Sequence, residues 1–249
     1  MINIAFCEFK RFFRTLLPWV LLAAVQFILA YLFLAQTEDY IRSIQAQIIA
    51  SQATYGVTDI VLSRLYLYAG ILMLTIMPLL TMRSFAEERQ NNSLVLLKAA
   101  PLSSTQIVLG KYLAQVLFIL CFISLISLMP LSLLLGTSLD LGQLFSSTLG
   151  LCLLLSSFAA AGLFFSIISK QAIMAALLSF ACLCLFALLY FAGSRAQPPS
   201  ELLLYLSHFS HYLSFLSGFL DSRDIIYYLL FIVAFLVLTI RKLDNERLK

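Results

Sequence analysis

Six apolar runs punctuate the sequence, and each is long enough to cross a membrane as a helix. We place them at 15–35, 65–82, 112–135, 144–168, 172–192 and 225–240. The hydrocarbon core of a bilayer is ~30 Å thick and a helix rises ~1.5 Å per residue, so about 20 apolar residues span it. The last run is shorter, so Asp224 and Arg241 should lie near the two membrane surfaces. The pattern predicts an all-α, multi-pass membrane protein, with residues 1–249 forming a single transmembrane domain.

Residues 1–14 alternate between apolar and polar positions at helical spacing. The apolar residues form one face of such a helix: Ile2, Phe6, Phe9, Phe13 and, just beyond the segment, Leu17. The polar residues form the opposite face: Asn3, Lys10, Arg11 and Arg14. This pattern predicts a basic amphipathic helix that lies along the inner membrane surface. A flanking basic segment that only sets topology is the alternative.

Segment 198–222 contains a further apolar stretch, 202–220, which by length alone could be a seventh span. A seventh span would place the basic tail 241–249 on the outside. The stretch also contains several Ser residues and both His residues, and it follows Pro198-Pro199-Ser200-Glu201, a signal for the start of a helix. We therefore expect an outer re-entrant or interfacial helical hairpin that packs on the bundle, because irregular backbone at that depth needs protein or water beside it.

The composition excludes a water-soluble protein. Apolar residues make up 62% of the chain and charged residues only 11%, and the mean hydropathy is +0.99. Soluble domains usually have about 25% charged residues, so most of this surface should face lipid. The five cysteines form no CxxC pair, so the sequence predicts neither a disulfide framework nor a zinc site. We expect the lipid bilayer as a partner and no nucleic acid.

The distribution of Lys and Arg predicts the orientation. With the N-terminus inside and six spans, 12 of the 16 basic residues are cytoplasmic and four are outside. The cytoplasmic set is Lys10, Arg11, Arg14, Arg83, Arg89, Lys98, Lys111, Lys170, Arg241, Lys242, Arg247 and Lys249, and the outer set is Arg42, Arg64, Arg195 and Arg223. Both termini should be cytoplasmic.

Segment 84–111 is the longest predicted cytoplasmic stretch between spans. Ser84 and Glu87 have the spacing of a capping box, which predicts the start of a short charged helix. Pro101 should end the helical part, and Ser103 or Ser104 should cap the helix of the third span. We expect the spans to bury none of the charged-helix side chains, so that this helix is free to be pushed by a soluble partner.

Three enzyme classes can be tested against the sequence, two of them on this same segment. A phosphate-binding loop, GxxxxGK[ST], would need Gly and Ser or Thr where the chain has Thr105 and Tyr112. A CAAX-type intramembrane protease would need Arg in place of Asn92. A rhomboid-like protease would need a span histidine, and both histidines lie in the outer hairpin. The sequence therefore predicts a non-catalytic chain.

The motifs of this segment are similar to those of ABC-2-type transporter permeases. They are Phe85-Ala86-Glu87-Glu88-Arg89, then Ala100-Pro101-Leu102-Ser103, then Ile107-Val108-Leu109-Gly110-Lys111. Within that family the chain most resembles the gliding-motility-type permeases. The resemblance implies half of an ATP-driven exporter of the bacterial inner membrane, in which two permeases, identical or related, pair with two cytoplasmic ATPases. ATP and Mg would bind to the partner ATPase, and this chain would hold no cofactor.

The resemblance also implies roles for particular residues. Segment 84–111 is similar to a coupling segment that contacts the ATPase, with Phe85, Glu87, Glu88, Arg89 and Pro101 as its coupling residues. The hairpin is similar to an outer gate, with His208, Phe209, His211 and Phe215 as its candidate residues.

Alternatives remain at each of these sites. The charged cluster could serve only as a topology determinant. His208 and His211 are three residues apart on one helical face and could bind a metal or sense pH, although two ligands do not complete a metal site.

A membrane scaffold that holds an ATPase partner is the rival function. A secondary transporter is disfavoured because no charged residue lies in the middle of a span, and the same absence favours an amphipathic, lipidic or peptide-like substrate.

Overall fold

The structure is a computed structural model that describes residues 2–44, 58–91, 103–135, 139–195 and 200–247. Those ranges form ten α-helices and contain no strand. The helices are α1 (Ile2–Arg14), α2 (Leu16–Asp39), α3 (Ser63–Thr81), α4 (Arg83–Gln90), α5 (Ser104–Ser132), α6 (Leu141–Ile168), α7 (Ala172–Arg195), α8 (Glu201–Leu206), α9 (His208–Leu216) and α10 (Ser222–Arg247). Short π-helical turns, Tyr40–Ile44 and Thr58–Leu62, follow α2 and precede α3.

Six helical stretches of the described chain are long and apolar enough to cross a membrane. They are Leu16–Arg42, Ile60–Gln90, Ser104–Ser132, Leu141–Ile168, Ala172–Arg195 and Ser222–Arg247. Each contains one of the predicted spans or most of it. The predicted all-α fold with six transmembrane helices is confirmed.

Helix α6 forms the centre of the bundle. In its most apolar stretch 72% of the residues are buried, against 22% in α2 and in α7. It contacts α3, α5, α7, α9 and α10, and its inner surface is rich in small side chains, including Ser157, Ala160 and Gly162. Small residues let neighbouring backbones approach closely. The exposed apolar faces of α2, α7 and α10 are the surfaces suited to contact lipid.

Gly162 shows how close that approach is. A Cβ added at this glycine would lie 2.6 Å from the Cβ of Thr81, the last residue of α3. The close contact brings the end of α3 against the final turns of α6. It positions the α3–α4 junction over the end of the central helix.

The bundle has two chemically different ends. The α1 end contains α1, α4, the start of α5 and the ends of α6 and α10. The hairpin end contains α8, α9, the end of α7 and the starts of α6 and α10. The hairpin packs on the bundle, as predicted, through contacts of α9 with α3, α6 and α7.

The two predicted helix caps of segment 84–111 have different outcomes. Ser103 caps α5 in a full capping box, since its Oγ accepts from the Gln106 N–H and the Gln106 side chain accepts from the Ser103 N–H. The capping box at Ser84 and Glu87 is wrong. Met82, the residue before α4, keeps helical backbone angles, so no side-chain cap forms there. The Ser84 hydroxyl instead accepts a hydrogen bond from Gln115 Nε2.

Candidate coupling site at the α1 end

A serine of the central helix takes the place of the missing cap on α4. Ser166 Oγ accepts hydrogen bonds from the backbone N–H groups of Phe85, at 2.9 Å, and Ala86, at 3.1 Å. The same hydroxyl donates to the Met82 carbonyl at 2.8 Å. The first N–H groups of a helix lack partners inside it, so this hydroxyl satisfies two of them. It fastens the backbone of the α3–α4 junction to α6.

The apolar side of α4 is buried inside this chain. Phe85 is 1% exposed and Ala86 is fully buried. Phe85 belongs to a small core cluster with residues of α5, α6 and α10, including Ile107, Ile167 and Leu243. The expectation that the spans bury none of the α4 side chains is therefore wrong. Phe85 anchors α4 to its own bundle.

Five charged side chains of three helices form an ion cluster, defined as Glu8, Arg11, Glu87, Glu88 and Lys111. Lys111 Nζ on α5 lies 2.5 Å from Glu88 Oε1 and 2.8 Å from Glu8 Oε1. Arg11 on α1 lies 3.3 Å from carboxylate oxygens of both Glu87 and Glu88. Each cation therefore contacts more than one carboxylate, and the cluster joins α1, α4 and α5.

The centre of the ion cluster is removed from water. Lys111 is 2% exposed and Glu88 is 8% exposed, and the Lys111 ammonium also lies 5.1 Å from the centroid of the Phe85 ring. A charge buried at such a position is tolerated because it is paired, and removal of one partner leaves the other uncompensated. Glu88 was expected to be exposed, and its burial is a second correction to the sequence analysis.

Arg89 forms a separate contact on the other side of α4. Its Nη2 lies 2.5 Å from Glu246 Oε1 near the end of α10, and Lys242 Nζ lies 4.0 Å from the same oxygen. These groups are partly exposed, so the pair is weaker than the buried cluster. Helix α4 is thus fixed to α1 and α5 on one side, to α6 beneath and to α10 on the other.

Only part of the predicted coupling set lies within this arrangement. The structure brings Phe85, Glu87, Glu88 and Arg89 together on α4, whereas Pro101 lies outside the described residues. The most open residue of α4 is Gln90, which is exposed together with Asn91 just after the helix, and Glu87 is among its half-buried residues. An approaching protein would meet this tip of α4 rather than Phe85.

Sequence reasoning missed three residues of the site. Glu8 is the only carboxylate before Glu38, and its place on the basic α1 was a signal that it pairs within the chain. Lys111 entered the sequence analysis as a cytoplasmic cation and as the end of a family motif, without an ion-pair partner. Ser166 carried no signal, because nothing local distinguishes it from the other serines of α6.

At the hairpin end, three of the four predicted gate residues are buried, and Phe209 is partly buried. His208 is 1% exposed, and its ring lies 4.4 Å from the Phe231 ring centroid and 5.0 Å from that of Phe186. The Tyr227 hydroxyl donates to the Leu206 carbonyl, so the 3.0 Å contact between it and His208 Nδ1 requires the imidazole to donate. Burial lowers the pKa of His208 to about 3, with a smaller contribution from the neighbouring His211.

His211 lies in a more polar position of the same helix. Its Nε2 donates to the Tyr205 carbonyl at 2.8 Å, and its Nδ1 lies 2.7 Å from Asp224 Oδ1. The ring stacks on Tyr227 with a centroid distance of 4.1 Å. The contact with Asp224 ties the hairpin to the start of α10.

The two aromatic residues predicted for the gate pack against the core. Phe209 is partly buried against the main core and Phe215 is fully buried. A Cβ added at Gly150 of α6 would lie 2.5 Å from the Phe215 Cβ, so the glycine provides the space for this ring. The Phe215 carbonyl accepts from Ser146 Oγ at 2.8 Å. The hairpin therefore fills the end of the bundle.

The hypothesis of a metal at His208 and His211 finds no further ligands. Across the described ranges no three His, Cys, Asp or Glu side chains are grouped to hold a metal ion. The two imidazoles also point to different partners, one to aromatic rings and the other to Asp224.

Comparison with known families adds the decisive observation. A family model described as "ABC-2 family transporter protein" matches residues 2–248, nearly the whole chain. This chain belongs to the ABC-2 transporter family. No curated protein matches it significantly. The chain is thus a permease, a membrane component of a transporter, and membership of the family implies an ABC ATPase as its partner. In this permease, α4 lies at the α1 end and contains the motif Phe85-Ala86-Glu87-Glu88-Arg89, which was part of the resemblance to the family.

Proposed function

We propose that this permease is the transmembrane half of an ATP-driven exporter and that a separate ATPase drives it through the tip of α4. The α1 end is the cytoplasmic end in this proposal, and both termini lie there. Two permease chains, identical or related, form the pathway in a bacterial inner membrane. ATP and Mg bind to the ATPase and not to this chain.

The observation that supports the coupling role is the number of helices that α4 contacts at once. Its backbone is bonded to α6, its buried face packs against α5 and α10, and its charges pair with α1, α5 and α10. Packed elements transmit displacement because interiors are dense. A force applied to Gln90 and Asn91 would therefore reach four helices of the bundle.

The distribution of buried charge supports an amphipathic, lipidic or peptide-like substrate. In the described spans the buried charged side chains, Glu88, Lys111 and Asp224, lie toward the ends of their helices. Charged groups in the middle of spans mark ion pathways and coupling sites of other transporters. A pathway between such helices suits a substrate with little charge.

A crosslinking experiment tests the position of the partner. The permease would be co-expressed with the ABC ATPases of its source organism, with a photo-crosslinking amino acid at Gln90 or, as a matched control, at the exposed Glu201 of α8. We expect Gln90 to capture an ABC ATPase and Glu201 to capture none. Equal capture at both positions, or capture at Glu201 alone, would place the partner elsewhere and refute the proposal.

ATP turnover then separates a transporter from a scaffold. The isolated permease should neither bind nor hydrolyse ATP, and the reconstituted complex should hydrolyse it faster when substrate is added. A scaffold would bind the ATPase without making its turnover respond to substrate. Tight ATP binding by the isolated permease would contradict the division of roles.

A further inference from the structure

A cleft lies between α1, the start of α2 and the α3–α4 junction. One part of its wall is charged and the other is apolar. The charged part includes Arg11 of α1 and, on α4, Arg83 and Glu87.

Two charged side chains of the cleft can each form a further hydrogen bond or ion pair. The Arg83 guanidinium forms no ion pair or hydrogen bond with any described residue, although it is only partly exposed. Glu87 uses Oε2 to accept from Arg11 at 3.3 Å, and its Oε1 has no partner within the described ranges. The cleft therefore offers one cation and one carboxylate oxygen.

The placement of these groups indicates a ligand with both charges. Arg83 and Glu87 are four residues apart, so they lie on one face of α4 with Cβ atoms ~6 Å apart. Ser84 lies beside them, and its hydroxyl accepts from Gln115 Nε2 while its own proton has no acceptor among the described residues. A guanidinium and a hydroxyl suit a phosphate, and a carboxylate suits an ammonium group.

The apolar part of the wall belongs to the first two candidate spans. It consists of Leu17 and Pro18 at the start of α2 and Leu80 near the end of α3. The next residue, Trp19, is 50% exposed, and its indole N–H donates to the Phe13 carbonyl at 2.9 Å. Tryptophan favours the level of lipid head groups, so the charged part of the cleft lies near that level.

We propose that this cleft binds an ethanolamine phospholipid. Arg83 and Ser84 bind its phosphate, Glu87 accepts from its primary ammonium, and the first methylenes of an acyl chain lie on Leu17, Pro18 and Leu80. A choline head group fits less well, because its quaternary ammonium cannot donate a hydrogen bond to Glu87. A glycerol head group has no cation for that carboxylate. The lipid would touch α1 and α4 together and would join the ion cluster at Glu87.

Trp19 provides the measurement, because it is the only tryptophan of the chain and directly follows Pro18 of the cleft wall. The full chain, in the assembly in which it purifies, is reconstituted in choline-lipid vesicles that contain a brominated ethanolamine, choline or glycerol phospholipid. Bromine quenches tryptophan fluorescence on contact. The fluorescence of a Trp19→Phe sample, subtracted from that of the unmodified protein, leaves the fluorescence of Trp19 alone. We expect the ethanolamine lipid to bind about fivefold more tightly than either other lipid, the factor of a typical net hydrogen bond.

Variants test the assigned contacts. Arg83→Gln and Glu87→Gln should each reduce the preference to near unity, and Ser84→Ala should reduce it less. Arg14→Gln, an exposed arginine of α1 that does not line the cleft, should keep the preference. Thermal melting of each variant reports whether it is folded. If Arg83→Gln or Glu87→Gln fails to fold, Ser84→Ala still tests the contact with the phosphate.

Three results would overturn the proposal. Equal quenching by ethanolamine and choline lipids would show that the ammonium is not recognised. Stronger quenching by the glycerol lipid, with an equal loss in Arg14→Gln, would show a general attraction of anionic lipid to a basic surface. Displacement by soluble glycerophosphoethanolamine at the same concentration as the lipid would show that the membrane contributes nothing. None of these measurements requires an ATPase, so they are independent of the proposed export function.

Discussion

The two ends of the bundle are held together by different chemistry. At the α1 end, long charged side chains share partners: Lys111 reaches both Glu8 and Glu88, and Arg11 reaches both Glu87 and Glu88. At the hairpin end, rings and hydroxyls have fixed partners. Tyr212 donates to the Tyr66 carbonyl at 2.6 Å and Tyr228 donates to the His208 carbonyl at 2.7 Å.

This difference indicates how each end responds to displacement. A cation that already contacts two carboxylates can move toward one of them and remain paired. An aromatic ring packed in a close-fitting cavity has no second position of similar energy. We expect the α1 end to accommodate movement of α4 and the hairpin end to resist it, and four substitutions test that contrast.

The largest effect is expected when the ion cluster loses its buried cation. Lys111→Met leaves Glu88 buried without its ammonium partner, which should reduce the free energy of unfolding by about 3–5 kcal/mol. The double variant Lys111→Met, Glu88→Gln should recover much of that loss. Lys242→Met, at the partly exposed end of α10, is the control and should change stability little. Thermal unfolding in detergent measures all three, and a small effect of Lys111→Met would show that the cluster is open to water.

The next effect should appear at the hairpin end. Gly150→Ala places a methyl group against Phe215, and overpacking of this kind costs about 1–3 kcal/mol. Gly142→Ala, on an exposed turn of the same helix, is the matched control: its Cβ would lie 3.1 Å from Asp140 Oδ1, so it should cost less than Gly150→Ala. Unchanged melting of Gly150→Ala would show that the hairpin can shift, contrary to the rigidity inferred for this end.

Acidification should weaken the hairpin end through His208. Its pKa in the fold is about 3, below the ordinary 6.5, so the unfolded chain binds the proton more readily. Stability from this group is complete above pH 6.5 and falls as the pH drops toward 3. Between pH 7.5 and 5 the loss should be about 2 kcal/mol. His208→Phe should remove this component of the pH dependence, and parallel curves for the two proteins would contradict the assignment.

The smallest effect on stability is expected for Arg89. Its pair with Glu246 is partly exposed, so Arg89→Gln should cost less than about 1 kcal/mol. The tip of α4 should nevertheless become more mobile, which a spin label at Gln90 would detect as faster motion. Arg42→Gln, which removes a fully exposed pair with Glu38, should leave that label unaffected. An immobile label in Arg89→Gln would show that the contacts of α4 with α1, α5 and α6 fix the helix without this pair.

Local signals in the sequence were sufficient for the spans and for one cap. Long apolar runs and the Ser103 to Gln106 spacing act over short distances, so a sequence contains them directly. The site depends on distant pairs: Lys111 and Glu8 are 103 residues apart, and Phe85 and Ser166 are 81 apart. Helix α6 is apolar on every side, so its periodicity does not indicate which neighbour each face meets.

Phe85 illustrates the error that followed. Its neighbours in sequence are charged, and local polarity favoured a helix exposed to water. The structure turns Phe85 and Ala86 toward the bundle and leaves Glu87 and Gln90 outside, a division that depends on where α6 and α10 lie. The orientation of the chain and the role of α4 as a coupling element stay predictions.

With Met82, the one residue between α3 and α4, as its pivot, α4 has the mechanics of a short lever. Eight residues make it about 12 Å long, so a rotation of 15° about the junction would move its tip by about 3 Å. Close to the pivot, where Phe85 and the Ser166 hydroxyl lie, the same rotation would produce a displacement smaller than an atomic radius. A lever of this shape turns a large, weak movement at its outer end into a small, forceful one at the centre of the bundle.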